Sequence, residues 1–395
     1  MTLDAYGVGG PQLQAAGLRA VVDTRELMTM GFLEVLLKLP KIFRILKRVV
    51  RAAKLDRPDV AIVIDYPGFH FRLARGLRKL GVPLVYYIPP KIWAWRQHRV
   101  RFLRKFFDRI LCIFPFEEAV YRDLGVAVKY VGNPLMDELP LGLSRADARR
   151  ALGLADEDVV LVVMPGSRES ELNHHLECML SAVALAAASG LSALIGVSTQ
   201  LKVLVPFPET ADLASAQRRV ASWRERVGEA LAGRLDLRIS RGDSAVCLVA
   251  ADAGLIKSGT STLEAALLNC PHVVVYRPNR TGIWVYRKLV RYKGFVGLVN
   301  LIVGKIVPEV LCEDVIPSIL SQHVVALLTN QGMRAQMFAG FESLRAVIRS
   351  GGRSPSASAA AEIFGVLGVL DLTRGGRGAQ LAPSGEAPHG EKEPI

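Results

Sequence analysis

Val159-Val-Leu-Val-Val-Met-Pro-Gly-Ser-Arg-Glu-Ser-Glu-Leu-Asn-His-His-Leu176 is the stretch that decides the fold. An unbroken apolar run ending at Met164 meets Pro165-Gly166, then gives way to a polar segment of helical character. A short continuous apolar run bounded by a turn reads as a strand buried on both faces. A glycine turn from such a strand into a helix is the βα unit of a parallel sheet, and the helix start there can receive an anion. Arg168 adds a planar donor fork suited to a diphosphate. The plainer alternative is an ordinary βα turn with a solvated arginine.

Outward from that unit, β-branched runs at 59–64, 84–87, 109–113, 128–131, 193–197, 235–239, 253–256 and 272–275 alternate with helical stretches. The pattern predicts an α/β fold of parallel sheets with helices on both faces. Right-handed crossovers then gather the functional loops at the carboxyl ends of the strands. A chain of 395 residues is too long for one such core. Gly132-Asn-Pro-Leu-Met-Asp-Glu-Leu-Pro140 reads as the linker between two Rossmann-like domains, 1–140 and 141–350, which face a cleft. Residues 351–372 form a helix suited to crossing back, and 373–395 read as a disordered tail. No strand–loop–helix unit precedes Gly7-Val-Gly-Gly-Pro11, so the N-terminal domain is expected to be incomplete at its start.

The net charge of +13 favours an anionic partner. Nucleic acid is disfavoured, because no zinc finger, basic zipper or RNP-type motif occurs. Cys112, Cys178, Cys247, Cys270 and Cys312 are scattered without a CxxC pair. They read as reduced core thiols of a cytoplasmic protein and exclude a zinc knuckle or dithiol site. No apolar run reaches the ~18 residues of a membrane span.

Four further segments carry candidate chemistry. Lys257-Ser-Gly-Thr-Ser-Thr-Leu-Glu264 follows a strand, and Gly259 lets a phosphate approach the backbone while Thr260 and Ser261 offer hydroxyls. Glu264 either accepts ribose hydroxyls or closes a capping box with Ser261. Asp65, at the carboxyl end of the 59–64 strand, is either a general base or the start of the Pro67-Gly68 turn. Trp93 and Trp95 share a face of an extended loop and form a wall for sugar or acyl groups, or else pack in the core. In 28–54, an apolar segment with Phe32 and Leu36 suits a lipid contact. The basic helix after it reads as packed on the sheet with its charges solvated.

These residues resemble one family, lipid-A-disaccharide synthase, an inverting glycosyltransferase of the GT-B class. The matching segments run in order: Gly7-Val-Gly-Gly-Pro-Gln-Leu-Gln-Ala-Ala-Gly17, Met30-Gly-Phe-Leu-Glu-Val-Leu36, Ile64-Asp-Tyr-Pro-Gly-Phe69, Ile92-Trp-Ala-Trp-Arg-Gln97 and Phe114-Pro-Phe-Glu117. They continue with Val131-Gly-Asn-Pro-Leu135, Pro165-Gly-Ser-Arg168, Ser258-Gly-Thr-Ser-Thr-Leu-Glu264, Val275-Tyr-Arg277 and Leu298-Val-Asn-Leu301. The resemblance implies transfer from UDP-2,3-diacylglucosamine to 2,3-diacylglucosamine 1-phosphate (lipid X), with UDP released and no cofactor or metal. It implies Asp65 as the base, and Ser167, Arg168, Gly259, Thr260, Glu264, Arg277 and Asn300 around the nucleotide. Phe32, Leu36, Trp93, Trp95 and Arg96 would meet the acceptor or its acyl chains. The implied partner surface is the anionic inner face of the cytoplasmic membrane, with no nucleic acid; nothing in the sequence excludes a homodimer. Three departures stand out: the family's opening strand and Gly-Glu-Ala-Ser-Gly-Asp loop are absent, Asn133 replaces a common histidine, and Gly68 replaces a common second aspartate. The rival expectations are another GT-B enzyme acting on a UDP-sugar, such as an epimerase or a peptidoglycan N-acetylglucosaminyltransferase, and a non-catalytic nucleotide- or lipid-binding remnant.

Overall fold

The computed structural model describes residues 3–28, 39–92, 99–191, 200–278, 294–349 and 353–374. Phe32, Leu36, Trp93, Trp95, Arg96, the 193–197 strand and the tail from 375 onward lie outside them.

Every strand pair is parallel. Strands β1 (Tyr6–Gly9) and β2 (Arg19–Asp23) form a two-stranded sheet. Strands β3 (Ala61–Ile64), β4 (Leu84–Tyr87), β5 (Arg109–Cys112) and β6 (Val128–Tyr130) follow one another across a second sheet. The third holds β7 (Val160–Met164), β8 (Leu201–Phe207), β9 (Leu235–Arg241), β10 (Ala253–Lys257), β11 (His272–Tyr276) and β12 (Glu309–Leu311). Its order is β12-β11-β10-β7-β8-β9. All five residues of β7 are buried, as its continuous apolar run requires.

Four of these strands escape the periodicity reading. β1 carries two glycines in four residues, and β12 is only three residues long. β2 (Arg19-Ala-Val-Val-Asp23) is a brief stretch between polar ends. β8 contains Pro206, which argues against a central strand. The ladder from β8 to β7 stops at Leu204, so Pro206 lies where β8 is already an edge on that side.

Helix α1 (Leu39–Leu55) buries Ile42, Ile45, Leu46, Val49 and Ala53 and exposes Arg44, Lys47, Arg48, Arg51 and Lys54. Its apolar stripe joins the core of the N-terminal sheet through Phe69, Leu73 and Leu77 of α2 (Pro67–Lys79). Each large aliphatic side chain so buried contributes about 1.5–3 kcal/mol. The packing reading of this helix therefore matches the structure.

Contacts join the two halves at several points. Phe114, which precedes helix α3 (Pro115–Asp123), packs into the large core of the C-terminal sheet. The last helix, α7 (Pro355–Arg374), sets Ala359 and Val366 against Val85, Leu111 and Val131 of the N-terminal half. Two hydrogen bonds tie the same junction, Tyr130 Oη to Ile348 O at 2.6 Å and Ser356 N to Asp137 Oδ2 at 2.9 Å.

Asp252, just before β10, organises the amino ends of the central strands. It accepts from Arg145, from Arg149 Nη2 at 3.0 Å and from the Val160 amide at 2.9 Å. Arg149 is only 2% exposed, and its remaining donors reach the Ala250, Ala155 and Asp156 carbonyls. A buried guanidinium with every face hydrogen-bonded holds the start of β7 to the start of β10.

Candidate active site

In the C-terminal sheet the chain runs one way from β7 to β9 and the other way from β10 to β12. The reversal falls between β7 and β10, which pair directly. Ligands of such sheets bind in the crevice outside the carboxyl ends at that switch point. The loops that open there are Pro165–Arg168 and Ser258–Gly259, the two segments singled out in the sequence.

The two loops differ in what they leave open. At the first, α4 (Glu169–Ala186) starts with a carboxylate folded back on its own amides. Glu171 Oε2 accepts from Ser167 N at 2.9 Å and from Arg168 N at 3.2 Å. Glu171 Oε1 accepts from Lys257 Nζ at 2.9 Å. A Cβ on Gly166 (φ +114°) would come within 2.4 Å of that carboxylate, so glycine is required there. The expected anion seat on these two amides is already filled from within. What remains for a ligand is the Arg168 guanidinium, 80% exposed, and the Ser167 hydroxyl.

At the second loop, α5 (Thr260–Leu267) begins after Gly259 with no side chain capping it. Thr262 Oγ1 donates back to Gly259 O at 2.8 Å, and Ser258 N continues the ladder to Val275 O. Neither the Thr260 amide nor the Ser261 amide has a protein acceptor among the described residues. This helix start is left open in a way that suits an anion. The capping box between Ser261 and Glu264 does not form, since the helix starts at Thr260. The Glu264 carboxylate has no hydrogen-bond partner among the described residues, though its backbone carbonyl accepts from Leu268 N. Burial, and then the charge of Glu138, push its carboxyl above the ordinary range.

Arg277 follows β11 and is exposed. Asn300, in helix α6 (Leu298–Val303), is not available to a ligand. Its amide group donates to Val307 O and Glu309 Oε1 and accepts from the Ile306 and Val307 amides, all at 2.8–3.0 Å. Those four bonds exhaust its capacity, and the side chain is 1% exposed. Asn300 therefore braces the loop into β12.

In the other half, Asp65 ends β3 with a carboxylate that is exposed and has no hydrogen bond among the described residues. Its own backbone (φ +49°) and that of Tyr66 (φ +39°) both lie in the left-handed region. Two successive residues so placed cost about 1–2 kcal/mol each. Tyr86 Oη donates to Asp65 O at 2.8 Å, and His70 Nε2 meets Ile64 O at 3.1 Å, which together hold the bend. The helix after it has Tyr66 at its cap with no side-chain acceptor, so Asp65 does not serve as a turn starter. Lys91, beyond β4, is a cation that feels this carboxylate. Burial lowers its ammonium, against which Glu117 and Asp65 act in the opposite sense.

The linker lies between the two sites. Tyr87, at the end of β4, is pushed up to about 12 by burial and then by Asp137 and Glu138. Glu138 is also the charge felt by Glu264 across the crevice. Among the described residues no group of three or more His, Cys, Asp or Glu is placed to hold a metal ion.

Two parallel α/β halves, a linker between them and a returning C-terminal helix define the GT-B fold. Solved structures share this fold. Sucrose-phosphate synthase of Thermosynechococcus elongatus is 14% identical, with a TM-score of 0.53 over 94% of this chain and 98% of that one. The calicheamicin glycosyltransferase CalG4 is 16% identical, with a TM-score of 0.52 over 92% and 91%. The chain belongs to the lipid-A-disaccharide synthetase family, whose model matches residues 1–363. Lipid-A-disaccharide synthases of Anaeromyxobacter dehalogenans (38% identical, 92% of this chain and 90% of the relative) and Myxococcus xanthus (37%, 95% and 91%) are similar along nearly their whole length. It is a glycosyltransferase of lipid A biosynthesis.

Sequence reasoning missed Glu171, His175, Lys91 and Tyr86. Glu171 left a trace, an acidic residue three positions after Arg168 at a helix start, which is the position of a capping glutamate. The other three act through the packing of strands distant in sequence and leave no local pattern.

Proposed function

We propose that the chain transfers 2,3-diacylglucosamine from UDP to the 6-hydroxyl of 2,3-diacylglucosamine 1-phosphate, with inversion at the anomeric carbon. The acceptor oxygen forms the new bond to that carbon, its proton passes to Asp65, and the bonding pair to the diphosphate leaves with UDP. The observation that carries the reading is the uncommitted Asp65 carboxylate at the end of one sheet, with an uncapped helix start at the switch point of the other. The leaving diphosphate gains negative charge, which the Thr260 and Ser261 amides and the Arg168 fork are placed to stabilise. Glu264 suits the ribose, and Ser167, Gly259 and Arg277 complete the donor side. Phe32, Leu36, Trp93, Trp95 and Arg96 are assigned to the acceptor and its acyl chains.

The same reading places the enzyme on the anionic inner face of the cytoplasmic membrane. The charge of +13 supports it, and no described helix is long and apolar enough to cross a membrane.

The test is disaccharide formation and UDP release from the two diacylated substrates, measured on the full chain and on Asp65→Asn. The substitution is near-isosteric at an exposed site and suits left-handed backbone. It is expected to lower kcat by roughly 10²–10⁴ while leaving UDP affinity within about twofold. Absence of disaccharide from the unaltered chain overturns the reaction. A parallel loss of UDP binding in Asp65→Asn overturns the role of the carboxylate.

A further inference from the structure

His175 lies on the buried side of α4, 2% exposed, two turns after Arg168. Its Nδ1 meets the Glu171 carbonyl at 2.8 Å, and its Nε2 meets the backbone N–H of Arg277 at 3.0 Å. Those two partners fix the tautomer. A carbonyl only accepts, so Nδ1 carries the proton; an amide N–H only donates, so Nε2 must keep its lone pair. A doubly protonated ring cannot make the second bond. His175 thus ties the residue leaving β11 to the helix leaving β7, across the β10 loop that leads to the open helix start.

We propose that His175 is a positioning residue for the donor site: a neutral imidazole that holds Arg277 at the crevice and lets it go when protonated. The inference rests on Arg277 being a donor-side residue, as assigned above. The ring is faced by Lys257 from β10, by Glu171 and His174 from its own helix, and by Arg277 itself. Burial is the largest influence and lowers its pKa below the usual 6.5, with the nearby cations acting the same way and the Glu171 carbonyl opposing. The ring is therefore neutral at pH 7.5, and its release of Arg277 belongs to the acid side of pH 6.5.

The experiment is UDP titration calorimetry on the full chain at pH 7.5 and at steps below pH 6.5 down to the acid limit at which circular dichroism shows the fold intact, with four proteins: unaltered, His175→Gln, His175→Leu and Arg277→Ala. A glutamine oxygen accepts from the Arg277 amide but does not titrate, so His175→Gln is expected to match the unaltered chain at pH 7.5. It is expected to lose less affinity than the unaltered chain as the pH falls below 6.5. His175→Leu removes the acceptor and is expected to weaken UDP roughly fivefold at pH 7.5. Parallel weakening of the unaltered chain and His175→Gln on acidification overturns the proposal, and that comparison stands even where the leucine variant misfolds. Normal affinity in a folded His175→Leu, beside weak binding by Arg277→Ala, overturns it too. Normal affinity in Arg277→Ala overturns the donor-side assignment beneath it, while leaving the Asp65 chemistry to its own test.

Discussion

Asp252→Ala separates the scaffold from the site. The substitution removes the acceptor of three bonds, from Arg145, from Arg149 and from the Val160 amide, and leaves Arg149 with its charge at 2% exposure. Breaking a buried ion pair by removing one partner costs about 3–5 kcal/mol. Asp252 itself is 21% exposed, so water reaches part of the pair and the low end, about 3 kcal/mol, is the appropriate figure. At about 2–4 °C per kcal/mol for a domain of this size, the melting temperature falls by about 6–12 °C. Yet Asp252 precedes the amino end of β10 and the Thr260 and Ser261 amides follow its carboxyl end, with the whole strand, about 16 Å at ~3.3 Å per residue, between them. UDP affinity measured well below the melting transition is therefore expected to stay within about twofold. The checks are circular dichroism melting and UDP calorimetry on the same preparation. A melting change under about 2 °C, or UDP binding that weakens in step with stability, refutes the reasoning.

Three other predictions concern separate links. A Cβ on Gly68 meets nothing within 4 Å, and the residue sits in the first turn of α2, so Gly68→Asp is expected to raise stability by about 1 kcal/mol in urea unfolding; a loss shows hidden crowding. Burial alone would raise the Glu171 carboxyl, but Lys257 and the two loop amides hold it below its usual range. That group's stability is present above the unfolded pKa and lost as pH falls through the lower folded one. Lys257→Met is accordingly expected to make the slope of unfolding free energy against pH less positive between pH 6 and 4, and an unchanged slope discards the pairing. Replacing Phe32 and Leu36 by Ser is expected to reduce co-sedimentation with anionic phosphatidylglycerol vesicles, and unchanged partitioning removes that contact.

Much of the C-terminal half was legible in the sequence, because burial on both faces leaves a mark that survives in one dimension. The run ending at Met164 has to be a central strand, and Pro165-Gly166 has to turn it into a helix. The same holds for 253–256 and for the stripe Ile42, Ile45, Leu46, Val49 and Ala53, which is buried as its spacing demands. The place of Asp65 just past the carboxyl end of β3 was legible for a related reason, since a polar residue that closes an apolar run in a parallel sheet falls at the strand's carboxyl end. Short or irregular strands were not: β1 and β12 are too brief for a period, and Pro206 hides β8.

Only the tertiary structure decided which polar groups remain free. The Ser167 and Arg168 amides look like an anion site in the sequence, yet Glu171 fills it, while the Thr260 and Ser261 amides stay open. Asn300 looks like a ligand residue, yet four internal bonds consume it. His175 looks like part of a polar helix, yet Arg277, more than a hundred residues further on, gives its ring nitrogen a partner. The physical reason is that side-chain period reports which face is dry, a property averaged along one element. Hydrogen-bond satisfaction depends on single atoms brought within 3 Å by strands far apart in the chain.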